Sequence, residues 1–301
     1  MNQTTENIEV LDTSISAPKK GKSLWKLALQ RLLKNKAAIT SLILLLTIVT
    51  LAIVAPWLSP YGFDAIDWDN FQSAPNFENS HYLGTDSNGR DLLVRIAYGT
   101  RISLMVGLAA TSVSLLIGVT YGALAGFIGG RIDNIMMRIV DVLYSLPFMF
   151  FVILLMVFFG RNIILMFAAI GAIEWLTMAR IVRGQSISLR RKEFVEAAMA
   201  LGVSTRGIIS RHIVPNTLGT VIIYVTLTIP QVILTESFLS FLGLGVQEPM
   251  TSLGVLISEG AGQMQSAWWA LVFPAVTLAT LLFCFNFIGD GLRDALDPKD
   301  K

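Results

Sequence analysis

Two carboxylates and two imidazoles have the most scope for chemistry in this chain, and their settings narrow what they can do. Glu174 and Glu236 each fall inside a long apolar run, Asn162 to Ala179 and Thr217 to Gly245. An ionisable group at membrane depth marks a substrate or ion path, or it partners another helix; both readings stand for both acids. Glu236 is expected to face a cavity between subunits rather than lipid. Glu174 lies six residues before Arg180, so its head could also reach water at a helix end. His81 and His212 lie on opposite sides of a membrane in the topology derived below, so they cannot share a metal. DSNGRD (residues 86–91) has the look of a calcium loop but fails its spacing. Gly89 is the fourth residue rather than the sixth, and Ala97 stands where the bidentate Glu belongs. A turn leading to a helix N-cap fits better. There is no H-E-x-x-H and no G-x-x-x-x-G-K-[ST], and nothing pairs a nucleophile with a base. The expectation is a non-catalytic chain with no metal and no cofactor of its own.

A second constellation is charged and water-facing: EFVEAAMALGVSTRGIISRHIVPN, Glu193 to Asn216. Phe194, Ala197, Ala198 and Leu201 recur at i, i+3, i+4 and i+7, which is one face of a helix. Gly202 is placed to end that helix in a left-handed cap. Ser204 can N-cap a second short helix, with Pro215 beyond its end. A DNA-reading helix-turn-helix shares this outline, but tethering between two apolar runs argues against nucleic acid. The small Ala197–Ala198 pair leaves room for a partner surface and Glu196 offers a charge to orient it, so the unit reads as a docking knob.

The elements that carry these residues follow from composition. Of 301 residues, 53% are hydrophobic and 15% charged, against about 25% charged in a soluble domain. The single cysteine, Cys284, excludes an intrachain disulfide. Six apolar runs approach the ~20 residues needed to cross a bilayer: Ala37–Leu58, Ile102–Gly130, Val142–Gly160, Asn162–Ala179, Thr217–Gly245 and Ala267–Gly289. None alternates as a barrel strand would, so the fold class is all-α, with six transmembrane helices. Gly118, Gly122, Gly126 and Gly130 recur in steps of four, giving one helix a bare face for close packing. Pro147, Pro230 and Pro274 favour kinks in three others. No inverted pair of broken helices of the secondary-transporter kind is visible.

Lys and Arg divide unevenly between alternate connections. The tail before Ala37 and the segment 180–216 each hold seven, and with the 131–138 turn and the C-terminal tail that side totals nineteen. The other side holds four. Cytoplasmic loops carry the excess, so both termini and the docking knob are expected inside the cell. Residues 1–22 are expected to be disordered. Ser23–Lys36 reads as an interfacial helix anchored by Trp25 or as an extension of the first membrane helix.

The stretch from Glu196 to Pro215 resembles the EAA loop of bacterial ATP-binding-cassette (ABC) importer permeases. Glu196, Ala197, Ala198, Gly202 and Pro215 match its pattern; His212 and Val214 depart from the usual Ile and Leu. HYLGTDSNGRDLLVRIAYGTRISL, ESFLSFLGLGVQEP and GDGLRDALDPKD are similar to C-type permease subunits of oligopeptide and dipeptide importers, and the likeness runs from Lys22 onward. The resemblance implies a type I ABC importer permease fold in the bacterial inner membrane. Its parts would be a tail at 1–36, a first membrane helix at 37–58 and an external segment at 59–100. A core at 101–290, containing the EAA loop at 182–216, and a tail at 291–301 complete the chain. Implied partners are a sister permease in a heterodimer, two cytoplasmic ATPases that bind ATP and Mg, an external peptide-binding protein, peptide and membrane lipid. Glu196, Ala197, Ala198, Gly202 and Pro215 would couple to an ATPase. A proton-coupled secondary transporter using Glu174 and Glu236, a membrane scaffold or receptor, and a dipeptide or nickel importer permease are the alternatives.

Overall fold

The computed structural model describes residues 24–160 and 162–296. The expected disorder of 1–22 and the anchoring by the Trp25 side chain lie outside what is described. The chain runs α1 (Leu24–Leu32), α2 (Lys36–Leu58), α3 (Leu92–Ile128), α4 (Gly130–Ser145), α5 (Phe148–Phe159) and α6 (Ile163–Arg190). It continues α7 (Glu193–Ala200), α8 (Thr205–Ile208), a π-helical turn (Ile209–Ile213), α9 (Val214–Phe241), α10 (Leu253–Ala261) and α11 (Trp268–Leu296). Among the described residues five stretches are long and apolar enough to span a membrane: α2, α3, α6, the continuous run Thr205–Phe241, and α11. α4 and α5, a pair bent by 76°, make a sixth when taken together as one broken span.

The kink expected at Pro147 is a full break between two helices, and the first of them starts at Gly130 rather than Val142. Pro147 cannot donate to the preceding turn and biases Leu146 away from helical backbone, so α4 ends at Ser145 and Pro147 caps α5. α5 alone has 12 residues, too few to cross. The reverse happens after Ala179: α6 carries on to Arg190, because Arg180 and Arg183 find acidic partners on α4, Asp141 and Asp133. Pro56 lies inside α2 and leaves the Ala52 carbonyl without its helical donor. Arg101 of α3 fills the gap: its Nε donates to the Ala52 carbonyl at 2.6 Å and its Nη2 to that of Ile53 at 2.7 Å.

α3 is the central column. Its first turns join Leu92 and Ile96 to Ile233, Leu253, Leu281 and Phe285. Its middle joins Val106 and Ala110 to Met166, Ile170, Val232 and Leu239. Its last turns join Val119 and Phe127 to Val182, Val195, Ile208 and Ile213. α6 lies parallel to it. A Cβ built on Gly118 would sit 2.6 Å from Met178 Cβ, and Gly122 and Gly126 meet the backbone carbonyls of Ala179 and Arg183. Three of the four stripe glycines therefore admit a neighbouring helix against bare backbone. Gly130 does not: α3 stops at Ile128, and Gly130 begins α4 with a φ of +61° and nothing within 4 Å of its Cβ position. The stripe is three residues long because α3 ends before its fourth member.

Candidate functional site

The docking knob is built at the end of the bundle where α3 and α6 finish. α7 is made of good helix formers, and Glu193 and Glu196 in its first turn suit the positive end of the helix dipole. Its C-terminus closes as a double turn: Val203 N–H donates to the Ala198 carbonyl at 3.1 Å and Gly202 N–H to that of Met199 at 3.0 Å. Gly202 has a φ of +75°, a conformation that favours glycine. Ser204 then accepts from Gly207 N–H and starts α8.

The expected face divides differently from the sequence pattern. Val195 and Ala198 turn inward, fully or nearly buried against the Phe127, Val182, Ile208 and Ile213 cluster. Phe194, Ala197 and Leu201 turn outward, and Leu201 is 84% exposed. Most of the apolar stripe is thus exposed, and a narrower inner seam holds the helix to the bundle. Glu196 lines a hollow of about 390 Å³ with Asp133, Arg190, Arg191 and Met199. Pro215 does not end the second helix as expected. α8, the π turn and α9 are continuous, with Pro215 in the first turn of α9. A widened turn before a proline relieves its clash with the carbonyl four residues back.

The two buried acids part company. Glu236 is completely buried inside its own chain. Ser240 Oγ donates to its Oε1 at 2.6 Å and Ser103 Oγ to its Oε2 at 3.1 Å. Ser103 Oγ also accepts from Leu253 N–H at 3.2 Å, so the carboxylate links α9, α3 and α10. The expectation that it faces a cavity between subunits is corrected: hydroxyl donors at short range on its own helices draw it inward. Glu174 instead lines a cavity of about 550 Å³ between the α4–α5 break, α6 and α9.

A cluster at the opposite end was not anticipated. Residues 59–91 pack on the start of α3, the end of α10 and the start of α11. His81, fully buried, lies between Asp91 (Nδ1 to Oδ1, 2.9 Å) and Asp67 (Nε2 to Oδ2, 3.2 Å) and stacks on Tyr61. Asp91 N-caps α3 by accepting from Val94 N–H at 3.0 Å, as DSNGRD suggested. Arg90 bonds Asp86 at 2.7 Å and Glu248 at 2.9 Å, and the buried Arg95 reaches Glu259 at 3.1 Å. Burial works to lower the Arg90 value, but Asp86 and Glu248 outweigh it and raise the net. Burial pushes the Glu259 carboxyl up, with Arg95 and Arg90 pulling part of the way back. The visible signal for this cluster was the density of Asp, Arg and His between 64 and 95, but pairings set by folding cannot be read from a list of charges.

Comparison with known proteins identifies the family. Residues 118–300 match the family described as binding-protein-dependent transport system inner membrane component, and residues 23–75 match the N-terminal TM domain of oligopeptide transport permease C. A Haemophilus influenzae protein named oligopeptide transport system permease protein OppC is 58% identical over 281 residues, 93% of this chain and 90% of its own length. The Escherichia coli K12 protein of the same name is 57% identical across the whole of both chains. A Bacillus subtilis protein named dipeptide transport system permease protein DppC is 46% identical over 90% of this chain and 85% of its own. The chain therefore belongs to the inner membrane components of binding-protein-dependent transport systems, as a multi-pass, non-catalytic permease subunit of an ABC importer with the type I fold.

Proposed function

We propose that this permease carries oligopeptides inward across the cytoplasmic membrane as one half of a heterodimer with a sister permease. The α7 end faces the cytoplasm, where two ATPases bind ATP and Mg, and the 59–91 end receives an external peptide-binding protein. The names of the relatives favour peptides as cargo, and the excess of Lys and Arg at the α7 end favours the orientation. The observation that carries the coupling role is the two-sided packing of α7. Phe194, Ala197 and Leu201 are offered outward, while Val195 and Ala198 are wedged beneath α3, α6 and α9. A partner that moves the outer face must move the membrane helices with it. ATP-driven closure of the ATPases would then tip a two-state equilibrium between inward-open and outward-open bundles.

In this scheme Glu196 orients the ATPase surface, the small exposed Ala197 permits close approach while buried Ala198 seats the helix on the bundle, and Gly202 and Pro215 fix the angle of the knob. Gly118, Gly122 and Gly126 make α3 and α6 one rigid unit. Glu236 braces α3, α9 and α10, and Glu174 faces the substrate path. The experiment is uptake of labelled di-, tri- and pentapeptides by cells with and without the intact system. Uptake lost on deletion and restored by the gene is the expected result. Unchanged uptake of all three lengths overturns the peptide reading. The likeness to the Bacillus subtilis protein named for dipeptides makes the dipeptide arm the second reading.

A further inference from the structure

The cavity beside Glu174 has a chemistry of its own. Its polar lining is Tyr144, Glu174, Thr177, Tyr224, Thr228 and Gln231, with apolar side chains between them and no Lys or Arg. Glu174 is the eleventh residue after the start of α6, roughly 17 Å along the helix at 1.5 Å per residue, and α6 is long and apolar enough to span a membrane. Among the described residues no hydrogen bond or ion pair reaches its carboxylate. The nearest basic residue along α6 is engaged elsewhere: Arg180 bonds Asp141 at 2.9 Å and lies over the Tyr144 ring at 4.3 Å. The break between α4 and α5 holds this space open, since Leu143, Tyr144, Leu146 and Phe148 flank it. The fold thus spends a kinked helix on a cavity whose one formal charge has no counter-ion.

We propose that this cavity is a transit site for the α-ammonium group of a peptide, with Glu174 as its counter-charge. The inference rests on the peptide reading above. An ammonium and a run of amides are what peptides share whatever their side chains. A carboxylate flanked by neutral hydroxyls and one carboxamide matches that common part and ignores the rest. A single carboxylate in an open cavity holds a cation loosely enough to release it, as transit requires.

The test uses the assembled transporter in inside-out vesicles, with buried Cys284 replaced by serine and Thr228→Cys as a reporter. Methanethiosulfonate reagents bearing an ethylammonium or an ethylsulfonate group are compared with their rates on a free thiol. A focused negative charge is expected to raise the cationic preference by about tenfold or more. Trialanine should slow the labelling and N-acetyl-trialanine should not; Glu174→Gln should abolish both the preference and the protection, and Glu174→Asp should keep part of each. Equal protection by the two peptides, or a preference untouched by Glu174→Gln, overturns the proposal. If the wild-type complex takes up no peptide while cationic preference and trialanine protection persist, the peptide reading fails and the ammonium site stands.

Discussion

The guanidinium of Arg183 holds the carboxylate of Asp133 through two bonds, Nε to Oδ1 at 2.5 Å and Nη2 to Oδ2 at 2.6 Å. Asp133 is almost fully buried and Arg183 two-thirds covered. This clamp fastens α4 to the part of α6 that leads into α7, so the bent pair and the docking helix share an anchor. Arg183→Lys keeps the charge but loses the planar fork. It should cost about 1.5–3 kcal/mol in unfolding of the detergent-solubilised permease, and Asp133→Asn should add little to it in a double-mutant cycle. Full additivity would mean that the two side chains do not act together.

Gly202→Val places a branched side chain at a φ of +75°. No neighbour lies within 4 Å of the new Cβ, so the penalty is backbone strain alone, and the turn must open to relieve it. Membrane insertion should be normal, while ATPase pull-down and peptide-stimulated hydrolysis should fall together. Normal values of both would make the stretch an inert connector.

Gly122 within the stripe and Gly130 just beyond it should respond for different reasons. Gly122→Ala drives a methyl into the Ala179 carbonyl and Val182, and should destabilise by about 1–3 kcal/mol through overpacking. Gly130→Ala meets nothing but must hold a φ of +61°, at roughly 1–2 kcal/mol. Asparagine, which tolerates that conformation, should recover most of the loss at 130 and none at 122. Equal rescue at both would show that the close contact of α3 with α6 is unimportant.

Orientation is open to thiol labelling. In a background without Cys284, an impermeant reagent added outside intact cells should modify Glu78→Cys and miss Thr205→Cys, both at exposed positions. The opposite pattern would reverse the membrane topology and place the docking knob outside.

Acid should loosen the His81 cluster. A hydrogen bond from Asn70 and, next, one from His81 hold the Asp67 carboxyl below its ordinary value. A depressed value in the folded state means that its contribution is complete above the unfolded value, about 3.9, and disappears as pH falls through the folded one. Asp67→Asn should therefore flatten the acid limb of a thermal-stability profile below about pH 4 and shift its neutral plateau down. An unchanged acid limb would show that the carboxylate contributes nothing there.

Much of this architecture could be read from periodicity and punctuation. The apolar runs, the glycine cap at 202 and the N-cap in DSNGRD depend on local chemistry, which a sequence displays. Errors arose where the deciding partner lay far along the chain. Nothing near Ala179 announces that α6 continues, because Asp133 and Asp141 stabilise the extension from α4. Nothing near Glu236 reveals its enclosure by Ser103, which is 133 residues away. Ala198, alone of the α7 stripe, turns inward for a related reason. Hydrophobic spacing finds an apolar stripe without saying whether protein or a missing partner covers it, and here Val195, outside the stripe, takes the inward place.

The π turn at Ile209–Ile213 fixes a rotational phase. Successive residues of an α-helix advance by about 100° and 1.5 Å, and a π turn accommodates one extra residue between the segments on either side. Removing that residue would let α8 and α9 join as one regular helix. Wound into regular α-helix instead, that same extra residue would twist α8 and the attached knob by about 100° relative to α9, carrying Phe194 and Leu201 off their bearing while every side chain in the knob stayed the same. The direction in which the docking surface points is thus set by a count of residues as much as by their kinds.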